Sequence, residues 1–117
     1  MSPLADVSFE TLEGVVVARL EGEVDMSNAT ELGATITASI PSDARGLVLD
    51  LGDVGYVDSA GIHVLFELRD RLTRRGQEIR LVLATDSPVA TALEYAGVQS
   101  MLGVAATVQG AIEDLRE

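Results

Sequence analysis

Cysteine is missing from this 117-residue sequence, which excludes both a disulfide framework and thiolate chemistry. Lysine is missing too, and all eight basic residues are arginines. That removes the phosphate-gripping lysine of a P-loop, and no G-x-G-x-x-G follows a strand-like run. His63 is the sole histidine, so neither a metal site nor a metal cofactor is expected. Aromatics make up 3% of the residues, and the apolar content is carried by Val, Leu, Ile and Ala. An aliphatic core of that kind suits strands covered by helices. No apolar run approaches the roughly 20 residues of a membrane span. Met1 to Asp6 carries neither the basic n-region nor the apolar h-region of a leader, so a cytoplasmic location is expected.

Positive charge is scarce. Eight basic residues face 19 acidic ones, a formal net charge of −11. A chain that grips duplex phosphates or an anionic membrane needs the reverse balance, so neither nucleic acid nor membrane is an expected partner. Solubility explains the excess by itself, and a basic protein partner is compatible with it. The length is that of one domain, expected to span residues 1–117, and long enough to bury a core without staples.

The hydrophobic pattern alternates between periods. Val7 to Leu12 reads as an edge strand, Gly14 as a hairpin turn and Val15 to Leu20 as a β-branched strand. Gly22 to Asp25 leads to Asn28, a good N-cap. Ala29, Leu32, Ile36 and Ile40 then recur at helical spacing, and Pro41 stops the helix. Gly46 to Leu51 is a short apolar run suited to a central strand, with Gly52, Asp53 and Gly55 expected in a loop. Asp58-Ser59 opens a helix with the stripe Ile62, Leu65, Phe66, Leu68 and Leu72, closed by Arg71, Arg74, Arg75 and Gly76. Ile79 to Ala84 reads as a buried strand, and Asp86-Ser87-Pro88 starts a helix that faces inward at Val89, Leu93 and Ala96. Val98 to Ala106 holds a last extended segment, and Thr107 opens a terminal helix with Val108, Ala111, Ile112 and Leu115. Two strands followed by alternating helix and strand imply an α/β fold. Its single mixed sheet has an antiparallel edge hairpin, parallel strands, and about four helices mainly on one face.

Catalytic constellations do not survive inspection. Asp58, Ser59 and His63 superficially offer a triad, since residues four apart share a helical face. However, Val57 occupies the first glycine place of the G-x-S-x-G elbow, and neighbours on one helix orient a base poorly. No enzyme activity is therefore expected. Asp58-Ser59-Ala60-Gly61 has a plain reading, a serine N-cap with a helpful aspartate. It also has a functional one, because a helix start is an anion site where a phosphate on Ser59 could rest against backbone N–H groups.

The stretch Leu47 to Ile62 resembles the signature of STAS domains of the anti-sigma factor antagonist family. Gly22-Glu23-Val24-Asp25 with Asn28-Ala29 is similar to that family's upstream block, and the element order matches from Val7 to Leu115. The resemblance implies that Ser59 is phosphorylated by an anti-sigma factor that is itself an ATP-dependent serine kinase. The unphosphorylated form would bind that kinase and free a sigma factor, and a PP2C-type phosphatase would reset the switch. It also implies partner contacts at Asp25, Asp58, Ala60, Gly61, Ile62 and His63, no cofactor, and a monomer or weak dimer. Ala60 and His63 depart from the residues frequent there, which bears on the partner's identity rather than on the phosphoacceptor. The alternative is a STAS subunit of another assembly, a stress-signalling complex or a lipid-transporter accessory.

Overall fold

The computed structural model describes residues 5–84 and 86–116. Five strands lie in one sheet in the order β1-β2-β3-β4-β5: β1 (Ala5–Leu12), β2 (Val15–Val24), β3 (Gly46–Val57), β4 (Glu78–Val82) and β5 (Val104–Ala105). β1 pairs antiparallel with β2, and every later pairing is parallel. The hairpin is tight because Glu13 and Gly14 both adopt positive φ, 54° and 81°, the geometry whose twist matches a two-residue hairpin. Among the described residues four helices cross between strands, α1 (Ala29–Ala38), α2 (Ser59–Arg74), α3 (Pro88–Tyr95) and the short α4 (Val98–Leu102), and α5 (Val108–Leu115) follows the last strand. The expected mixed sheet is therefore present.

Four helices share one face. Leu32 and Ile36 of α1, Leu65, Leu68 and Leu72 of α2, Val89 and Leu93 of α3, and Val98 and Leu102 of α4 form one core with Leu47, Leu49 and Leu81 of the strands. α5 covers the opposite face alone, packing Ala111, Ile112 and Leu115 on Val15, Val17, Val48 and Val82. The central strands read as unbroken apolar runs because both of their faces are buried. Truncating any of these leucines to alanine would cost about 2–5 kcal/mol.

Several local expectations are corrected. Gly52, Asp53 and Gly55 are not a loop: β3 runs on to Val57, paired with a β2 that itself continues to Val24, and register shifts absorb the irregularity. Val98 to Leu102 is a helical turn, so the extended segment shrinks to Val104–Ala105. Ala96 is exposed, and Ala90 takes the buried position in α3. Ser87 caps α3 with proline behind it, and Thr107 caps α5, both as the residue types require.

Candidate functional site

β2 and β3 end side by side, with Val24 opposite Val57, and the Asp58 N–H donates to the Val24 carbonyl at 3.1 Å. The segments 25–28 and 58–61 therefore leave the sheet together at the carboxyl ends of its parallel strands. This is where open α/β sheets place their working loops.

Asp58 joins the two segments. Its Oδ1 accepts from the N–H groups of Ala60 (2.9 Å) and Gly61 (3.1 Å), and its Oδ2 accepts from the Met26 N–H at 3.2 Å. The carboxylate is thus both the N-cap of α2 and a staple across 32 residues of sequence. This corrects the sequence reading, in which Ser59 was the cap. Asp58 has the extended backbone of a cap residue, and Ser59 is the first residue of the helix. Two acceptor oxygens let the carboxylate serve both helix N–H groups and the neighbouring loop, which a hydroxyl could not do. Ser59 is left exposed, with no hydrogen-bond partner for its hydroxyl among the described residues.

The 25–28 turn is held from inside. Asn28 is 1% exposed; its side-chain oxygen accepts from the Asp25 N–H at 3.0 Å and its amide donates to the Glu23 carbonyl at 2.9 Å. Asn28 stands at the N-cap position of α1 but makes no side-chain cap bond, because both ends of its amide are occupied by the turn. Asp25 accepts from the hydroxyl and the N–H of Ser27, and these bonds hold its carboxyl below the usual carboxylate range. Met26, between them, is 82% exposed.

Of the other residues singled out in the sequence, Ala60 and Ile62 are half-buried and His63 is exposed. Gly61 is buried, and a Cβ there would lie 2.8 Å from Val57 Cγ1 and 3.0 Å from Val24 Cγ1. Its lack of a side chain lets α2 sit close on the strand ends. His63 lies 3.7 Å from Glu67, one turn on, and Asp58 is committed to backbone N–H groups, so no triad assembles around Ser59. Among the described residues no group of three or more His, Cys, Asp or Glu side chains could hold a metal ion. No helix among them is long and apolar enough to cross a membrane. Sequence reading missed Met26 and Tyr56, the latter 49% exposed on β3 opposite Glu23. The available signal was an apolar side chain in a turn otherwise built of Asp, Ser and Asn.

Charge is segregated along the strand axis. Arg45 leads into β3, Arg69, Arg71, Arg74 and Arg75 lie in the second half of α2 and just beyond, and Arg80 is midway along the short β4, level with Val48 near the start of β3. Arg116 pairs with Glu13 of the hairpin turn. All of these lie towards the amino ends of the parallel strands. Arg19, halfway along β2, is tied to Glu10 and Asp50. The end bearing Ser59 carries Glu23, Asp25, Asp53 and Asp58 and no arginine.

Fold and site together define an α/β domain with one mixed sheet covered on both faces, whose most specialised surface is an unengaged hydroxyl at a helix start, set in an acidic rim with an exposed methionine. The STAS domain profile matches residues 6–111, and the chain belongs to that family. It is 33% identical over 100 residues to BtrV of Bordetella bronchiseptica, provisionally named as an anti-sigma factor antagonist; the match covers 85% of this chain and 84% of that one. In fold it is similar to an anti-sigma factor antagonist from Mycobacterium paratuberculosis, with a TM-score of 0.86 at 23% identity over 99% of this chain and 98% of that one. It is also similar to SpoIIAA in its unphosphorylated form, with a TM-score of 0.77 at 21% identity over 95% and 96% of the two chains.

Proposed function

We propose that this chain is an anti-sigma factor antagonist switched by phosphorylation of Ser59. In its unphosphorylated form it binds an anti-sigma factor serine kinase and so releases a sigma factor. A PP2C-type phosphatase restores that form. The protein acts by docking, with no chemistry of its own. The observation that carries this reading is the Ser59 hydroxyl, exposed and unengaged on a helix whose cap is supplied by its neighbour. Modification there removes no bond that holds the fold. The names of the relatives point the same way.

The docking face comprises Asp25, Asp58, Ala60, Ile62 and His63, with Met26 added as an apolar contact and Gly61 acting through the backbone. A phosphate adds about −1.5 to −2 charges at neutral pH. The sequence reading let that phosphate rest on free N–H groups; those of Ala60 and Gly61 are already taken by Asp58. The new charge therefore meets a carboxylate with little local relief, beside a rim that holds no arginine. Burying it in an interface shaped for a hydroxyl costs several kcal/mol, and about 3 kcal/mol weakens binding more than a hundredfold. The test is incubation with candidate anti-sigma kinases and ATP, then peptide mapping and affinity measurement. One phosphate on Ser59, lost affinity on phosphorylation and constitutive binding by Ser59→Ala are expected. Phosphate mainly on Ser27 or Ser87, or undiminished binding, would overturn the reading.

A further inference from the structure

A groove of about 210 Å³ adjoins the Ser59 helix start, between the last residues of β3 and the first turns of α3. It exists because β3 outruns its neighbour. β4 pairs with β3 only as far as Asp50 opposite Val82, and among the described residues no strand lies on that side of Leu51 to Val57. Gly55, Tyr56 and Val57 form one wall there, and Pro88, Val89 and Ala92 of α3 form the other. Both walls stand at the carboxyl ends of the parallel strands, as the Ser59 segment does. Gly55 leaves the groove open. It is the extra residue between the pairings of Gly22 with Val54 and of Glu23 with Tyr56, and a Cβ on it would meet nothing within 4 Å.

Size, lining and charge indicate what fits. Small-molecule sites begin at about 300 Å³, so this groove suits a side chain better than a metabolite. Pro88, Ala92 and Tyr95 recur at helical spacing and give α3 an apolar stripe that ends in a 91% exposed tyrosine. Tyr56, in the opposite wall, is half exposed. These are the only tyrosines in the chain, and exposed tyrosines beside an apolar pocket are frequent anchors of protein interfaces. Residues 52–62 and 81–98, which carry the two walls, contain no arginine or lysine and supply Asp53, Asp58, Asp86 and Glu94. Such a surround attracts a cationic occupant, whose guanidinium or ammonium groups can also rest on tyrosine faces.

We propose that this groove seats an apolar side chain, leucine or methionine in size, projecting from a basic segment of the partner that docks at Ser59; the choice of partner rests on the docking reading. Val57 belongs to the groove and Asp58 caps the helix that Ser59 opens, so a partner engaging the hydroxyl reaches the groove without a break in contact. A second copy of this chain is the poorer occupant, because it brings the same net charge of −11 to an acidic surface.

The test is an amide-shift titration of the full chain with the blocked peptides Arg-Arg-Leu-Arg-Arg, Arg-Arg-Ser-Arg-Arg and Glu-Glu-Leu-Glu-Glu. The first should give saturable shifts at Gly55, Tyr56 and Ala92, the second should bind about tenfold more weakly, and the third should leave these residues unmoved. Ala92→Phe fills the groove from α3 and should weaken the first peptide about tenfold. Gly55→Leu fills it from β3, where a Cβ has open space, and remains informative if Ala92→Phe unfolds. Affinity for the kinase that modifies Ser59 should fall similarly in the filled variants. Equal binding of the leucine and serine peptides, binding of the glutamate peptide, concentration-dependent shifts at these residues without peptide, or undiminished affinity in both filled variants would overturn the proposal. Specific binding of the leucine peptide with no kinase able to modify Ser59 would uphold the groove and sink the docking reading alone.

Discussion

Replacing Asp58 separates two functions that one carboxylate performs. Asp58→Ala removes both cap bonds, to Ala60 and Gly61, and the staple to Met26. Loss of a cap costs about 0.5–2 kcal/mol. The exposed staple contributes at the low end for a hydrogen bond, about 0.5–1 kcal/mol. The negative charge at the helix start adds about 0.3–1 kcal/mol. Because these overlap at one group, the whole should come to about 1.5–3 kcal/mol, or roughly 5 °C in Tm for each kcal/mol in a domain of this size. Asp58→Asn keeps the Oδ1 acceptor for the two helix N–H groups. It replaces Oδ2 by a donor that cannot accept from Met26, and its cost should be about half as large or less. Urea unfolding followed by circular dichroism measures the totals, with the slope unchanged if the denatured state is unaffected. Amide exchange separates the parts. In Asp58→Asn protection should fall at Met26 and persist at Ala60 and Gly61; in Asp58→Ala it should fall at all three. An Asp58→Ala loss below about 0.5 kcal/mol, the range of ordinary surface changes, would refute the clamp. So would Asp58→Asn and Asp58→Ala proving indistinguishable at Gly61.

Other outcomes follow from the same geometry. Gly61→Ala should destabilise by about 1–2 kcal/mol even though alanine is the better helix former, because its methyl meets Val57 and Val24; a rise in the urea midpoint would show that the strand ends give way. Asn28→Ala orphans the Asp25 N–H and the Glu23 carbonyl and should cost about 2–3 kcal/mol, read by the same unfolding assay. The Asp25 carboxyl should titrate below the ordinary carboxylate range and move up in Ser27→Ala, followed by side-chain carbon shifts against pH. Since the folded value is the depressed one, its contribution is present at neutral pH and fades as pH falls through that value; an unmoved titration in Ser27→Ala would remove the cause assigned. Association with a kinase partner should slow as salt rises, with Asp25→Asn and Asp53→Asn flattening the slope and Arg74→Gln leaving it unchanged, as rapid-mixing kinetics at several ionic strengths can check.

Local patterning by itself determined the class of fold. β-branched runs, helical spacing of Leu and Ile, and the Ser87-Pro88 and Thr107 starts each specify their element from within a few residues, and their order admits little besides a mixed sheet with crossovers. Ser59 stood out as a candidate for the same reason, lying in a contiguous stretch of familiar form. Tertiary structure alone decided the rest. Gly52, Asp53 and Gly55 look like a loop because local propensity counts side chains, while strand β3 persists there because β2 supplies backbone partners with shifted register. Whether Asp58 or Ser59 caps α2 depends on a third N–H, that of Met26, which reaches Asp58 only after the two strands pair. Asn28 reads as a helix cap until backbone groups of Glu23 and Asp25 take both ends of its amide. The arginines scattered along the sequence collect at one end because parallel strands return each crossover to the same side. Separation by polarity of the sheet, unlike helical or strand periodicity, has no spacing by which a sequence could announce it.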